Sequence, residues 1–254
     1  MYIDTHCHLD AAEFDADRDE VAARARAAGV EIMVIAGVER AGFDALLSVC
    51  RRTPGCIPAL GIHPMYVDNA KVEDLDVLRE MIAQYSPMAI GEIGLDFFVP
   101  GYDRERQEFY FVGQLKIAAE CGLPVLLHIR RAQDAVLKFL RQAKVKGGIA
   151  HAFNGSRQQA DEFIRLGFKL GFGGAMTYDR ATKLRELAAT LPLDSIVLET
   201  DAPDMPPAFI GKARNSPENL PRIAAVLAEL RGIGVEEVAE ITTANARAVL
   251  GEMA

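Results

Sequence analysis

Met1-Tyr2-Ile3-Asp4-Thr5-His6-Cys7-His8 is an apolar, strand-like opening that delivers two histidines one residue apart, and a helical stretch, Asp17 to Ala28, follows it. A strand turns alternate side chains to one side, so His6 and His8 share a face while Cys7 takes the other. Two same-facing imidazoles suit a metal site, although a buried, hydrogen-bonded histidine beside a surface one would read the same way. The strand-then-helix unit recurs along the whole chain. Strand-like runs read Tyr2 to His8, Glu31 to Gly37, Ile57 to His63, Met88 to Leu95, Pro124 to Ile129, Gly148 to Phe153, Phe168 to Gly173 and Ser195 to Thr200. Helical stretches between them read Asp17 to Ala28, Phe43 to Arg52, Val72 to Tyr85, Arg104 to Cys121, Ala132 to Ala143, Gln158 to Leu166 and Ala181 to Leu191. Ser156 with Gln159 three residues later forms a capping box, and Ser216 before Pro217 suits a cap and first helical position.

Eight strand-helix units, closed by a Pro217 to Leu230 helix and an extra Val235 to Leu250 helix, predict a (β/α)8 TIM barrel with an extra C-terminal helix. A doubly wound open sheet competes, but no Gly-rich phosphate loop follows any strand and no linker divides the chain. The 254 residues are therefore expected to form a single domain, residues 1–254.

Half of the residues are hydrophobic and a quarter charged, an ordinary balance for a globular protein. The net charge of −8 argues against a general basic field for coating nucleic acid, but leaves room for a small site whose field is set by bound cations. Cys7, Cys50, Cys56 and Cys121 are scattered, without a CxxC pair, and read as reduced thiols. With no signal-like N-terminus and no apolar run of membrane-spanning length, a cytoplasmic location is expected, with no membrane and no obligate protein partner.

The metal-capable residues fall at corresponding places on this map. His63 closes the third strand, Glu92 lies near the end of the fourth, His128 ends the fifth, His151 the sixth and Asp201 the eighth. All five histidines thus sit at strand C-terminal ends, which share the rim where a barrel builds its active site. Singly, His63 reads as a turn residue before Pro64, His128 and His151 as satisfied core imidazoles, and Glu92 or Asp201 as loop caps. Jointly, those readings need unrelated reasons for one shared rim.

His6-Cys7-His8-Leu9-Asp10, Gly61-Ile62-His63-Pro64, Gly91-Glu92-Ile93-Gly94-Leu95-Asp96, His128-Ile129-Arg130, His151-Ala152-Phe153-Asn154-Gly155-Ser156 and Glu199-Thr200-Asp201-Ala202-Pro203 resemble, in order, the motifs of the TatD family. These are metal-dependent hydrolases, several of them deoxyribonucleases, among the amidohydrolase-like barrels. The resemblance runs on to Arg214-Asn215-Ser216-Pro217-Glu218. It implies that His6, His8, Glu92 and Asp201 hold one divalent ion and that Glu92, His128 and His151 hold a second, with Glu92 bridging. No lysine stands at the fourth strand end to replace it as a bridge.

The expected chemistry is hydrolysis by a metal-activated water, with Glu92 and Asp201 as the catalytic pair and Asp201 accepting the proton. The imidazole-rich donors suit zinc or manganese better than magnesium, whereas nuclease activity in the family is associated with magnesium or manganese. By resemblance His63 lies near substrate, in phosphate contact or proton transfer. Arg130 shares the facing of His128 and suits a phosphate clamp, or else an ion pair with Asp134. Arg214 and Asn215 contact substrate or hold their loop. Asp4 and Asp96 are read as hydrogen-bonding supports for ligands or, for Asp96, a loop residue. The expected substrate is DNA, as single strands or frayed ends; the alternative is an ester or amide bond in a small molecule or aminoacyl group.

Overall fold

A computed structural model describes residues 1–251 and forms a parallel barrel. Strands β1 (Tyr2–Cys7), β2 (Val30–Ala36), β3 (Cys56–Leu60), β4 (Ala89–Asp96), β5 (Val125–Arg130), β6 (Gly148–Ala150), β7 (Phe168–Phe172) and β8 (Ile196–Leu198) pair in chain order. Around them run α1 (Arg18–Ala27), α2 (Phe43–Arg52), α3 (Asp74–Tyr85), α4 (Arg104–Cys121), α5 (Gln133–Gln142), α6 (Arg157–Arg165), α7 (Thr182–Thr190), α8 (Leu220–Arg231) and α9 (Val235–Leu250). This is the (β/α)8 barrel and extra helix that the sequence predicts. Among the described residues, no helix is long and apolar enough to cross a membrane.

The first and last strands meet at a seam held by few bonds. Thr5 Oγ1 donates to the Leu198 carbonyl at 3.0 Å, Asp201 N–H to the His6 carbonyl at 2.9 Å, and His8 N–H to the Ala202 carbonyl at 2.7 Å. Asp4 reinforces them by accepting from Thr200 N–H at 2.9 Å and from its hydroxyl at 2.5 Å. One cluster takes alternate residues of the strands, Ile3, Val34, Ala36, Ala59, Ala89, Leu126, Ile149 and Val197, together with Ala246 and Leu250 of α9. The extra helix therefore packs under the barrel. Buried Asn245 fastens it there, its amide donating to the Leu193 and Ile196 carbonyls at 2.8 and 2.7 Å.

A second, larger cluster lies between strands and helices, and there the amphipathic faces of the helices supply the bulk. Phe163 of α6 meets Phe153 and Phe168 edge to face, with centroids 5.8 and 6.0 Å away. Each such buried ring contributes roughly 1.5–3 kcal/mol through burial alone. The capping box forms as the spacing predicts, Ser156 accepting from Gln159 N–H at 3.1 Å and Gln159 reaching back to Ser156 N–H at 2.9 Å.

Two local expectations change. Ser216 and Pro217 open a short 3-10 turn before α8, yet the Ser216 hydroxyl caps nothing. Asn215 organises this corner instead, its Oδ1 accepting from Ser216 N–H and Asn219 Nδ2 and its Nδ2 donating to the Thr200 and Asp204 carbonyls. The strands β3, β6 and β8 also stop earlier than their apolar runs suggest. His63, His151 and Asp201 consequently begin the rim loops, still pinned by backbone bonds such as His63 N–H to the Val38 carbonyl at 2.8 Å and His151 N–H to the Leu127 carbonyl at 3.0 Å.

Candidate metal centre

The rim brings the six expected ligand residues and His63 into one cluster. Glu92 is its hub, with its two carboxylate oxygens facing different partners. Oε2 lies 3.1 Å from His6 Nε2 and 3.5 Å from His8 Nε2; Oε1 lies 2.9 Å from His128 Nδ1 and 3.4 Å from His63 Nε2. Asp201 Oδ1 lies 3.7 Å from His6 Nε2, 3.5 Å from His8 Nε2 and 3.6 Å from His151 Nε2. The donors fall into overlapping groups: His6, His8 and Asp201; His6, Glu92 and His151; His63, Glu92 and His128. The His151 ring stacks on His6 at 3.7 Å, and the His128 ring lies 4.3 Å from that of His63; the resemblance gives His128 and His151 a shared ion.

For His8, His63, His128 and His151 the neighbour of the outer nitrogen indicates which nitrogen faces the centre, whereas His6 Nδ1 is buried without a hydrogen-bond partner. His8 Nδ1 lies 2.9 Å from the Ala36 carbonyl, which can only accept, so the neutral His8 ring keeps its proton there and leaves Nε2 for the centre. His128 Nε2 lies 3.1 Å from Asp96 Oδ2, which leaves Nδ1 for the centre. His151 Nδ1 lies 3.0 Å from Glu199 Oε1, which leaves Nε2. His63 is the reverse case. Its Nδ1 accepts from Met65 N–H at 3.1 Å, so the neutral ring carries its proton on Nε2 and is a donor toward the centre. Burial favours that neutral form, lowering the His63 pKa to about 4. Four imidazole lone pairs and two carboxylates fit a divalent transition ion.

The electrostatics are those of a site built for cations. Burial alone would raise the Glu92 carboxyl, but the imidazoles of His63, His6 and His128 hold it well below the ordinary carboxylate range. Asp201 is likewise lowered against its burial by His151 and His8. Burial lowers His8 and His151, yet the opposing carboxylates win: Asp201 and Glu92 lift His8 to about 9, and Glu199, Asp201 and Glu92 lift His151 to about 10. Both are protonated at neutral pH without metal. Since a raised pKa means stability present below the unfolded value and lost as pH rises through the folded one, these charges support the metal-free protein up to about pH 9–10. A metal must displace them. Manganese binding near pH 7 is expected to release at least two protons per chain and to tighten with rising pH. Calorimetry in buffers of different ionisation heat measures this, and binding without proton release would contradict the assignment of His8 and His151 as ligands.

Two backbone features aim the carboxylates. Asp201 sits at φ 57°, a left-handed conformation that aspartate tolerates better than most residues, immediately after the seam. Gly171 of β7 has no Cβ, and one there would lie 2.1 Å from Glu199 Oε2. That space admits Glu199, buried beside His151 and accepting Ala152 N–H at 2.5 Å. Sequence reasoning missed Glu199 as a support, although its place two residues before Asp201 on one strand was the available signal.

Other candidates separate cleanly. Asp96 accepts from Phe98 and Val99 N–H as well as facing His128, so it fixes both loop and ligand. Asp4 accepts from the His6 backbone N–H, not its ring, and from Thr200. Arg130 stacks on Phe98 with Cζ 3.8 Å from the ring centroid and makes no ion pair with Asp134, whose Oδ1 takes the Gln159 amide at 2.8 Å. Arg214 is bound to both oxygens of Asp17 at 3.0 and 2.6 Å and to the Glu13 carbonyl, and lies over Phe14. Its guanidinium holds the loop to the start of α1. Cys7 is buried in the outer cluster, and burial pushes its thiol well above the ordinary range.

Comparison with known proteins adds to this geometry. The family described as TatD related DNase matches residues 3–251. An uncharacterized metal-dependent hydrolase, YjjV of Escherichia coli, is 39% identical over 247 residues, covering 96% of this chain and 95% of that one. The crystal structure of that TatD homologue superposes with a TM-score of 0.95 at 38% identity, covering 99% and 98% of the two chains. A protein of Erwinia amylovora named 3'-5' ssDNA/RNA exonuclease TatD is 36% identical over 257 residues, covering 98% of this chain and 99% of that one.

Proposed function

The chain belongs to the TatD related DNase family of metal-dependent hydrolases, and from that premise we propose that it is a phosphodiesterase removing nucleotides from ends of single-stranded DNA. The observation that carries the reading is Glu92, whose separate oxygens face two sets of donors. His6, His8, Glu92 and Asp201 would hold one divalent ion, and Glu92, His128 and His151 would hold the other, with manganese, zinc or magnesium as the working ion. Bound there, such ions supply Lewis acidity toward a phosphoryl oxygen and toward water.

The protein's own groups do the rest. Asp201, ionised and partly open to solvent, accepts the proton of the attacking water and orients it. His63 donates from Nε2 to a phosphate oxygen or to the leaving oxygen, a role open to a neutral imidazole with its proton inward. Asp96 and Glu199 keep His128 and His151 in their ligand tautomers. The exonuclease name of the Erwinia relative supports the single-strand preference.

The test is direct. Single-stranded DNA labelled at either end, incubated with this protein and manganese or magnesium, is expected to shorten progressively from one end. Turnover of acyl or amide substrates with no cleavage of DNA would overturn the reading in favour of carbonyl hydrolysis.

A further inference from the structure

Phe98, in the loop after β4, is 42% exposed, and its ring is met by two guanidinium groups, Arg130 at 3.8 Å and Arg131 at 4.6 Å from the centroid. The arginines are consecutive at the end of β5, and consecutive strand residues point to opposite sides. Arg131 escapes that alternation with φ 52°, a left-handed conformation that is strained for a non-glycine residue. The strained turn lets both cations reach one ring.

These cations differ from the other arginines near the rim. Arg214 and Arg106 spend their N–H groups on carbonyls and carboxylates of the protein. Among the described residues, neither Arg130 nor Arg131 donates a side-chain hydrogen bond to a protein group or has a carboxylate within 4.0 Å. Two adjacent positive charges with unused donors invite an anion, and the exposed ring they flank invites a flat partner.

Their place ties them to the chemistry. Phe98 N–H donates to Asp96 Oδ1 at 2.8 Å while Asp96 Oδ2 faces His128 Nε2 at 3.1 Å, and Arg130 is two residues beyond His128. The platform therefore stands directly beside the proposed ligands. We infer that Phe98, Arg130 and Arg131 form a subsite for a nucleotide flanking the cleaved bond, the base stacking on the Phe98–guanidinium assembly and a phosphate taking the free N–H donors. The inference rests on the nuclease reading and adds to it a base contact. In an intact duplex the base face is covered by its neighbours, so this subsite selects unstacked strands.

The experiment uses the full chain, manganese and end-labelled oligodeoxynucleotides carrying an abasic residue or 2-aminopurine at successive positions. Phe98→Ala is expected to lower kcat/KM about tenfold, chiefly through KM, with Phe98→Tyr restoring most of it. At one position, removing the base should cost the wild type a similar factor and cost Phe98→Ala little more, and 2-aminopurine there should be quenched by the wild type but not by Phe98→Ala. Arg131→Gln should lower the salt dependence of kcat/KM by about one phosphate contact. Penalties of Phe98→Ala and base removal that multiply at every position, or a Phe98→Ala protein as effective as wild type, would overturn the subsite. A wild type that cleaves none of the oligonucleotides would instead overturn the nuclease reading itself.

Discussion

Glu92→Gln is expected to bring hydrolysis down by about a thousandfold or more, a larger loss than removal of any single histidine. The substitution preserves size and leaves the barrel intact, but it replaces an anion facing four imidazoles with a neutral amide. One carboxylate oxygen becomes an NH2 group with no lone pair to offer, so one of the two donor sets loses its shared ligand. The charge that offsets the cations is lost at both. Elemental analysis after manganese loading should find the metal content reduced by at least one ion per chain. A Glu92→Gln protein that keeps the wild-type metal content and activity within tenfold of wild type would remove Glu92 as the bridge.

Asp201→Asn should separate binding from chemistry. Its Oδ1 faces His6, His8 and His151, and asparagine retains an oxygen to offer in that direction. What it cannot do is accept a proton, and loss of a positioned general base costs roughly a hundred- to ten-thousandfold. The fall should appear in kcat, with KM for DNA little changed. Because Asp201 and Glu92 are held below the usual carboxylate range, both stay ionised into mild acid, and the wild type should lose activity there first through protons returning to the histidine ligands and weakening metal binding. An equal fall in metal content and kcat would make Asp201 a ligand alone.

The barrel was legible because alternation of apolar strand and amphipathic helix is a repeating, local signal. His6 and His8 were legible for the same reason, since spacing within one strand fixes a shared face. His63 and His151 were placed on the rim, but not the rings they would lie against. Which imidazoles stack depends on distances across the barrel mouth, and no local pattern encodes them. The tautomer of His63 depends on Met65 N–H, a loop bond invisible in the sequence. Arg214 read as a substrate contact or a loop fastener, and only the fold shows Asp17 within its reach. Phe98 and Arg131 went unnoticed because a strand ending at Arg130 gives no warning of the left-handed turn that follows.

The seam between β8 and β1 has a further meaning for biosynthesis. His6 and His8 leave the ribosome with the first strand, while Asp201 emerges nearly two hundred residues later and reaches them only when Asp201 N–H meets the His6 carbonyl. A contact so distant in sequence carries a large loop-closure cost and cannot precede the strands between. Asn245, still later, anchors the helix beneath the last strand. An unfinished chain therefore carries its first histidines without the carboxylate that completes their set. The cluster of donors at the rim of this hydrolase is in this way assembled only when the first and last strands have joined.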